Sequence, residues 1–161
     1  MTVADPQLAG LTHGWFALSV LHDRIEAHVE RVLQVSFELS VREYALLEVL
    51  SRQDSSEGGH LRMAQVAEAV GLSQSATTRL VTRMESRGFL SRYLCPTDRR
   101  GIYTDVSEAG LLLVAQARPI NEGALREALG IAAEDPQLAR LVHAVISVIS
   151  PDSALGTERL A

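Results

Sequence analysis

The sequence has a single cysteine, no lysine and no long apolar run. One cysteine, Cys95, excludes a disulfide within the chain and favours a reducing, cytoplasmic setting. No apolar run approaches the roughly 18 residues that a membrane-spanning helix needs. The N-terminal residues also lack the basic start and apolar centre of a signal peptide, so we expect neither a leader nor a membrane span.

The absence of lysine means that all 15 basic residues are arginines, and 20 acidic residues outnumber them to give a formal net charge of -5. A protein that binds nucleic acid over its whole surface is basic overall, so any DNA-binding surface here must be local. The planar, forked guanidinium of arginine suits phosphate and guanine recognition, although a GC-rich genome would produce the same preference for arginine.

Patterns that indicate catalysis or metal binding are also missing. The chain has no nucleophile motif, no phosphate-cradling glycine loop and no convincing carboxylate pair. The histidines show no ligand spacing that joins them to a cysteine or an acidic cluster; they are His13, His22, His28, His60 and His143. We therefore expect no enzyme activity, no cofactor and no metal site.

The first long segment, from about residue 8 to residue 38, has the apolar spacing of a helix. Its main stripe consists of Leu11, Trp15, Leu18, Ile25, Val29 and Val32. Further apolar residues lie beside that stripe, namely Phe16, Val20, Leu21 and Leu33. This apolar face is wide for a helix with one covered side, which predicts that the helix packs against a second chain as well as its own.

The centre of the sequence contains a series of helix start and stop signals. Ser40 and Glu43 form a capping box that begins one helix. A later short helix ends at Gly71, because helices usually close on a left-handed residue and glycine adopts that conformation freely. Ser73 caps the helix that follows, and the small Ala67 lets these two helices cross closely. Two helices joined by such a tight turn indicate a helix-turn-helix.

The second helix of this pair carries polar side chains that suit the edges of DNA bases. Glutamine suits adenine, arginine suits guanine, and threonine suits a thymine methyl or an acceptor. The DNA contacts expected here are Ser73, Gln74, Ser75, Thr77, Thr78, Arg79 and Arg83. An isolated helix with this face would more often be simply solvated, but the turn before it and the hairpin after it favour DNA contact.

A β-hairpin is predicted after the helix-turn-helix. Residues 89–94 and 102–106 are rich in aromatic and β-branched residues, and a charged turn containing Pro96 joins them. From Arg79 to Arg100, six arginines stand against two acidic residues. Such a local excess of positive charge in an acidic chain attracts phosphates.

Together these signals predict a mainly α fold with a small β-hairpin wing, organised as a winged helix-turn-helix plus a helical dimerisation region. We assign residues 40–107 to the DNA-binding domain. Residues 8–38 and 108–150 form the dimerisation region, with Ser107 as the cap of the first helix after the hairpin. Residues 151–161 are expected to be a disordered tail.

The residues around the hairpin resemble the wing motif of the MarR family, in which an Asp-x-Arg turn and a strand precede Leu-Thr-x-x-Gly at a helix start. Asp98 and Arg100 match the Asp-x-Arg pair, and Gly110 matches the glycine. Val106–Ser107 stands in place of Leu-Thr, a conservative departure. The segment Leu72–Leu90 also resembles the recognition helix of that family.

This resemblance implies a ligand-responsive repressor that binds a near-palindromic operator in double-stranded DNA as a homodimer. Two recognition helices would lie in successive major grooves. Asp98 would brace the wing through an arginine, Arg100 would enter the minor groove, and Arg99 would join the DNA contacts. The alternative for Asp98 and Arg100 is an ordinary surface ion pair in a turn.

The resemblance also implies a pocket for a small aromatic or phenolic ligand, placed where the dimer helices meet the DNA-binding lobe. The residues that would line it are Trp15, His22, His28, Arg42 and Tyr44. For His22 the alternative is a hydrogen-bonded histidine in the core or in the dimer interface.

Two other functions stay open at this stage. The winged helix could serve protein–protein contact, although such a wing does not need an arginine stripe. The protein could also be a redox-responsive regulator through Cys95, because the arginines nearby would lower the pKa of its thiol. Family members that sense oxidants use a cysteine in the first helix, and this chain has none there.

Overall fold

The computed structural model describes residues 6–53, 61–94 and 102–149. Within these ranges it has six helices and one antiparallel hairpin, which confirms the predicted fold class. The elements in chain order are α1 (Pro6–Phe37), α2 (Val41–Ser51), α3 (Met63–Ala69), α4 (Gln74–Ser86), β1 (Leu90–Leu94), β2 (Ile102–Val106), α5 (Glu108–Ala133) and α6 (Ala139–Ile149). The tail predicted at 151–161 lies outside the described residues.

The chain separates into two compact units. Unit 1 contains the residues up to Val29 and those from Gly123 onward, and unit 2 contains Glu30–Glu122. Unit 2 therefore holds the helix-turn-helix and the hairpin, and unit 1 holds most of α1, the second half of α5 and all of α6. No helix in the described ranges is long and apolar enough to cross a membrane.

Local capping explains where the helices of unit 2 begin. The capping box at α2 is present: the Ser40 side chain accepts from the Glu43 amide at 3.1 Å, and the Glu43 carboxylate accepts from the Ser40 amide at 2.8 Å. The Ser73 hydroxyl accepts from the Ala76 amide at 3.3 Å and so caps α4. Gly71 has a φ of 65°, as the predicted helix stop requires.

The core of unit 2 is formed by the inner faces of α2, α3 and α4 and by the base of the hairpin. Strands β1 and β2 pair antiparallel with Leu90 opposite Val106 and Tyr93 opposite Tyr103. The fully buried large side chains of this unit are Leu33, Leu39, Leu46, Leu47, Leu50, Val66, Val81, Met84 and Val114. Because α3 and α4 both contribute to this core, the tight turn between them has a fixed geometry.

Unit 1 has a small core of its own. It consists of Leu21, Ala132, Leu138 and Val142, with Ala17, Ile25, Leu129 and Leu141 packed around it. Two polar contacts flank this core, the ion pair of Arg24 with Asp135 at 3.0 Å and the contact of His28 Nε2 with Glu127 Oε2 at 3.2 Å. Leu21, placed beside the main stripe in the sequence interpretation, is thus a buried member of this core, and Val29 of the main stripe is buried as well.

The predicted apolar stripe of α1 is therefore only partly buried within one chain. Val29 is buried, but most of the stripe's N-terminal half is exposed, as are apolar side chains of α5 and α6. The exposed large apolar residues of unit 1 are Leu11, Trp15, Phe16, Leu18, Val20, Leu125, Ile131, Val145, Ile146 and Val148. Monomeric proteins rarely leave so many large apolar side chains open to water.

Two buried threonines of unit 2 differ in their hydrogen bonds. Thr77 donates its hydroxyl to the Ser73 carbonyl at 3.0 Å, whereas the Thr104 hydroxyl has no partner among the described residues. Because an unpaired buried hydroxyl costs about 1–3 kcal/mol, Thr104→Val should raise the free energy of unfolding by about 1 kcal/mol. Urea denaturation measures this. Thr77→Val is the matched control, because it removes an existing hydrogen bond and should lower the free energy of unfolding. A loss of stability in both variants would contradict the role given to the unpaired Thr104 hydroxyl.

Candidate nucleic-acid interface

Helix α4 presents one buried and one exposed face. Leu80, Val81 and Met84 pack into the core of unit 2. The opposite face is polar and open to solvent, and it contains Ser73 at the cap together with Gln74, Ser75, Thr78, Arg79, Thr82 and Arg83. This exposed face has the composition expected of a helix that reads base edges and contacts phosphates.

Thr77 corrects the sequence prediction. It was expected on the exposed face, but its side chain is buried and its hydroxyl bonds to the Ser73 carbonyl one turn back. The reason is its position in the helix, three residues before Leu80 and four before Val81, which places it on the inward face. Thr77 therefore stabilises the start of α4 and is not available to DNA.

The exposed hydroxyls of α4 are also engaged locally. Thr78 donates to the Gln74 carbonyl at 2.9 Å, and Thr82 donates to the Thr78 carbonyl at 2.9 Å. A hydroxyl that donates to the backbone still has acceptor lone pairs. The Thr78 hydroxyl therefore keeps its capacity to accept a further hydrogen bond.

Arg83 of α4 and Arg87, the residue at its C-cap, both contact the carboxylate of Glu43. The sequence interpretation had assigned Glu43 only to helix capping. Arg83 Nε donates to Glu43 Oε1 at 2.8 Å, and Arg87 Nη1 lies 3.3 Å from the same oxygen. Arg87 also donates to the Glu38 carbonyl at 3.0 Å and stacks on the Phe89 ring at 5.2 Å from its centroid. These contacts join the C-terminal half of α4 to the end of α1 and the start of α2.

The charge state of Glu43 follows from these partners. Burial alone would raise the pKa of its carboxyl, but the hydrogen bond from the Ser40 amide and the nearby Arg83 and Arg87 outweigh it and lower the pKa below the ordinary value. The Glu43 side chain is therefore an anion at neutral pH although it is almost completely buried.

Side chains of α4 and of the segment after α2 hold the hairpin against the rest of unit 2. Arg92 of β1 donates its Nε to Glu85 of α4 at 2.8 Å, and this pair lowers the pKa of the Glu85 carboxyl. Gln53 donates to the Thr104 carbonyl at 2.8 Å and to Asp105 Oδ1 at 2.9 Å, and accepts from the Leu61 amide. No local pattern points to Gln53, because its partners in the hairpin, Thr104 and Asp105, are more than 50 residues away along the chain.

The remaining predicted DNA contacts lie between β1 and β2 in the sequence. Asp98, Arg99 and Arg100 lie outside the described residues, as does Cys95. Their roles in the wing and in redox sensing stay predictions. What the structure describes is the base of the wing, where Tyr93 and Tyr103 face each other with ring centroids 6.0 Å apart.

Three of the five predicted ligand residues lie in unit 1. Trp15 lines an open apolar groove whose other walls are Gly10, Leu11, Gly14, Leu18 and Leu141. His22 is exposed and 3.2 Å from Asp23, so within this chain it is not a core histidine. His28 is mostly buried and paired with Glu127.

The other two predicted ligand residues lie in unit 2. Arg42 donates to the Val70 carbonyl at 3.3 Å and so contacts the end of α3. Tyr44 is buried in the core, and burial together with the charge of Glu48 raises the pKa of its phenol. Both side chains therefore have structural roles in α2, and a ligand role for any of the five residues stays a prediction.

Comparisons with known proteins agree on one family. The model of the MarR family matches residues 37–101. AbsC, a MarR family transcriptional regulator from Streptomyces coelicolor, is 26% identical with a TM-score of 0.64, over 94% of this chain and 95% of that one. A second such regulator from the same organism, solved in complex with DNA, is 23% identical with a TM-score of 0.68, over 92% and 88%.

A third similar structure carries information on a ligand. It is BpsR of Bordetella bronchiseptica, whose DNA binding is regulated by 6-hydroxynicotinic acid. It is 19% identical to this chain with a TM-score of 0.63, and the match covers 83% of this chain and 90% of that one. At this identity the likeness concerns the fold.

Proposed function

We propose that this chain, whose residues 37–101 match the model of the MarR family, is a cytoplasmic transcriptional regulator that binds double-stranded DNA as a homodimer. The observation that carries the proposal is the exposed polar face of α4, where Gln74, Thr78 and Arg79 stand on a helix fixed by its buried side. Side chains on a rigid recognition helix read base edges in the major groove.

Contacts to the DNA backbone complete this interface. Arg83 lies one turn after Arg79 on the exposed face and suits a phosphate. The hairpin follows α4 directly, and we propose that Arg100 enters the minor groove, that Arg99 adds a DNA contact and that Asp98 braces the wing. Phosphate contacts fix the position of the protein, and the α4 contacts select the sequence.

Dimerisation is proposed from the exposed apolar residues of unit 1. Side chains such as Trp15, Leu18 and Ile146 would leave water if a second copy covered them, and burial of this kind drives stable association. A twofold dimer presents two recognition helices about 34 Å apart, one turn of DNA. The corresponding operator is near-palindromic.

We further propose that a small aromatic carboxylate or phenol relieves repression. The regulation of BpsR by 6-hydroxynicotinic acid supports this class of ligand, and the residues suggested for the pocket are Trp15, His22, His28, Arg42 and Tyr44. Ligand binding would have to favour a conformation with lower DNA affinity. Unchanged operator affinity across a panel of phenols and aromatic carboxylates would count against it.

The experiment that tests the DNA-binding proposal combines selection with a salt series. The purified protein selects duplexes from a random pool, and fluorescence anisotropy then compares the selected duplex with an unselected one. We expect the selected duplex to bind about 10³-fold or more tightly, with a steep salt dependence for both. Weak binding with equal affinity for the selected and the unselected duplex would instead favour a winged helix used for protein–protein contact.

A further inference from the structure

Glu43 places a negative charge directly behind the DNA-facing side of α4. Its Oε1 accepts from Arg83 Nε at 2.8 Å and lies 3.3 Å from Arg87 Nη1, and its Oε2 accepts from the Ser40 amide at 2.8 Å. Both oxygens are therefore held by the protein, and the carboxylate cannot turn away from the two arginines without giving up a hydrogen bond.

The burial of the two partners is very unequal. The Glu43 side chain is 7% exposed, whereas the Arg83 side chain is 57% exposed. DNA can therefore reach the guanidinium but not the carboxylate. A phosphate that approaches Arg83 meets a cation whose charge is partly compensated from behind by a fixed anion.

We propose that Glu43 tunes DNA affinity without touching DNA: it lowers sequence-independent affinity by compensating the charge of Arg83. This inference rests on the proposed function. Attraction to phosphates is the same for every sequence, while base contacts made by residues such as Arg79 discriminate. An anion behind Arg83 therefore lowers the affinity for every duplex by a similar factor, while the discrimination made by the base contacts is unchanged.

The surroundings of Arg87 explain why the compensation acts on Arg83. Arg87 is tied to the Glu38 carbonyl and the Phe89 ring, on the side of α4 that faces the rest of unit 2. Arg83 has the freer guanidinium of the two, and its pairing with Glu43 runs through Nε, which leaves the Nη groups available to a phosphate. The Arg83–Glu43 pair is thus the one that a DNA backbone would sense.

The first test is Glu43→Gln, measured on a random-sequence duplex by fluorescence anisotropy over a salt series. Glutamine keeps an oxygen to accept from the Ser40 amide, so the capping box is preserved while the charge is lost. We expect the affinity for the random duplex to rise about 3–10-fold at low salt and the log–log salt slope to steepen by about one unit. The ratio of selected to random duplex affinity should stay unchanged, because the attraction to phosphates is common to both duplexes.

Glu48→Gln is the matched control. Glu48 lies on the same helix, its side chain is 14% exposed, and it pairs with Arg118 of α5 at 3.1 Å and also with Arg52. The variant removes the same single negative charge from the protein, but away from α4. We expect its affinity for the random duplex to equal that of the wild type; an equal gain in both variants would show an effect of net charge alone and overturn the inference.

Arg83→Ala shows whether Glu43 acts through Arg83. In the Glu43→Gln background it should abolish the gain in random-duplex affinity, because the uncompensated guanidinium is gone. In the wild-type background it should flatten the salt slope by well under one unit, because that charge is already compensated. A flattening of a full unit or more in the wild-type background contradicts the inference, and this arm decides even if Glu43→Gln does not fold.

The inference and the proposed function fail in different ways. If the wild type selects no sequence from the pool, the proposed function is wrong and the inference falls with it. If the wild type is selective, and folded Glu43→Gln binds the random duplex no more tightly than the wild type does, only the role of Glu43 is wrong. Far-UV circular dichroism and thermal melting establish the folded state of each variant.

Discussion

Gly110→Ala should cost about 3 kcal/mol or more, the upper range for forcing extra atoms into a packed site. A Cβ at this position would lie 2.3 Å from the Phe89 carbonyl oxygen and 2.7 Å from Val106 Cγ1. The Phe89 oxygen cannot move aside, because it accepts from the Ser107 amide at 3.0 Å. The Ser107 hydroxyl in turn donates to the Gly88 carbonyl at 2.7 Å.

The close approach at Gly110 thus joins the start of α5 to the end of α4 and the base of the wing. Thermal melting measures the effect, and the midpoint should fall by roughly 6–12 °C for a chain of this size. Loss of the wing's position should also abolish selective DNA binding in the remaining folded protein.

Gly123→Ala is the control for the glycine substitution itself. Gly123 lies in the same helix, and a Cβ there would have nothing within 4 Å. Alanine in a helix interior is more stable than glycine by about 0.5–1 kcal/mol, so this variant should melt slightly higher than the wild type. If the two alanine variants melt alike, the steric argument at Gly110 is wrong.

Trp15→Glu should convert the proposed dimer into a monomer. The Trp15 side chain is 66% exposed in the single chain and lies among the other exposed apolar residues of α1. A central aromatic residue of an interface commonly contributes about 2 kcal/mol or more. In a twofold dimer each substitution occurs twice, so we expect the free energy of dimerisation to become less favourable by about 4 kcal/mol. This raises the dissociation constant of the dimer roughly 1,000-fold.

Sedimentation velocity over a concentration series measures this change. Asp23→Lys is the control, because that side chain is polar, 79% exposed and on the same helix; it should leave the dimer intact. The Trp15→Glu monomer should keep its helical content and lose most of its affinity for a palindromic duplex, since a single recognition helix contacts one half-site. If Trp15→Glu remains a dimer of wild-type stability, the interface does not include this part of α1.

Several features of the fold could be predicted from short-range sequence signals. Ser40, Ser73 and Gly71 define helix ends through contacts within a few residues. The two strands and the turn between the third and fourth helices follow from residue types and spacing in the same way. These signals depend on the local backbone alone, so one sequence suffices to detect them.

Such local signals did not predict which face of α1 packs against the core of its own chain. Apolar residues lie nearly all round this helix, so periodicity alone did not identify which of them face the chain's own core. Packing against α5 and α6 selects Leu21 and leaves Trp15 open. The burial of Thr77 is a similar case, since a threonine at the edge of the polar face of α4 is compatible with either a buried or a solvent-exposed position.

The sequence by itself determined the resemblance to the MarR family, the order of the elements and the polar character of α4, because each depends on residues that are neighbours in the chain. Only the tertiary structure decided which carboxylate faces Arg83 and why position 110 must be glycine. Glu43 lies 40 residues before Arg83, and Gly110 meets the Phe89 carbonyl across the base of the wing. Contacts of this kind arise from packing between distant segments, and no local pattern specifies them.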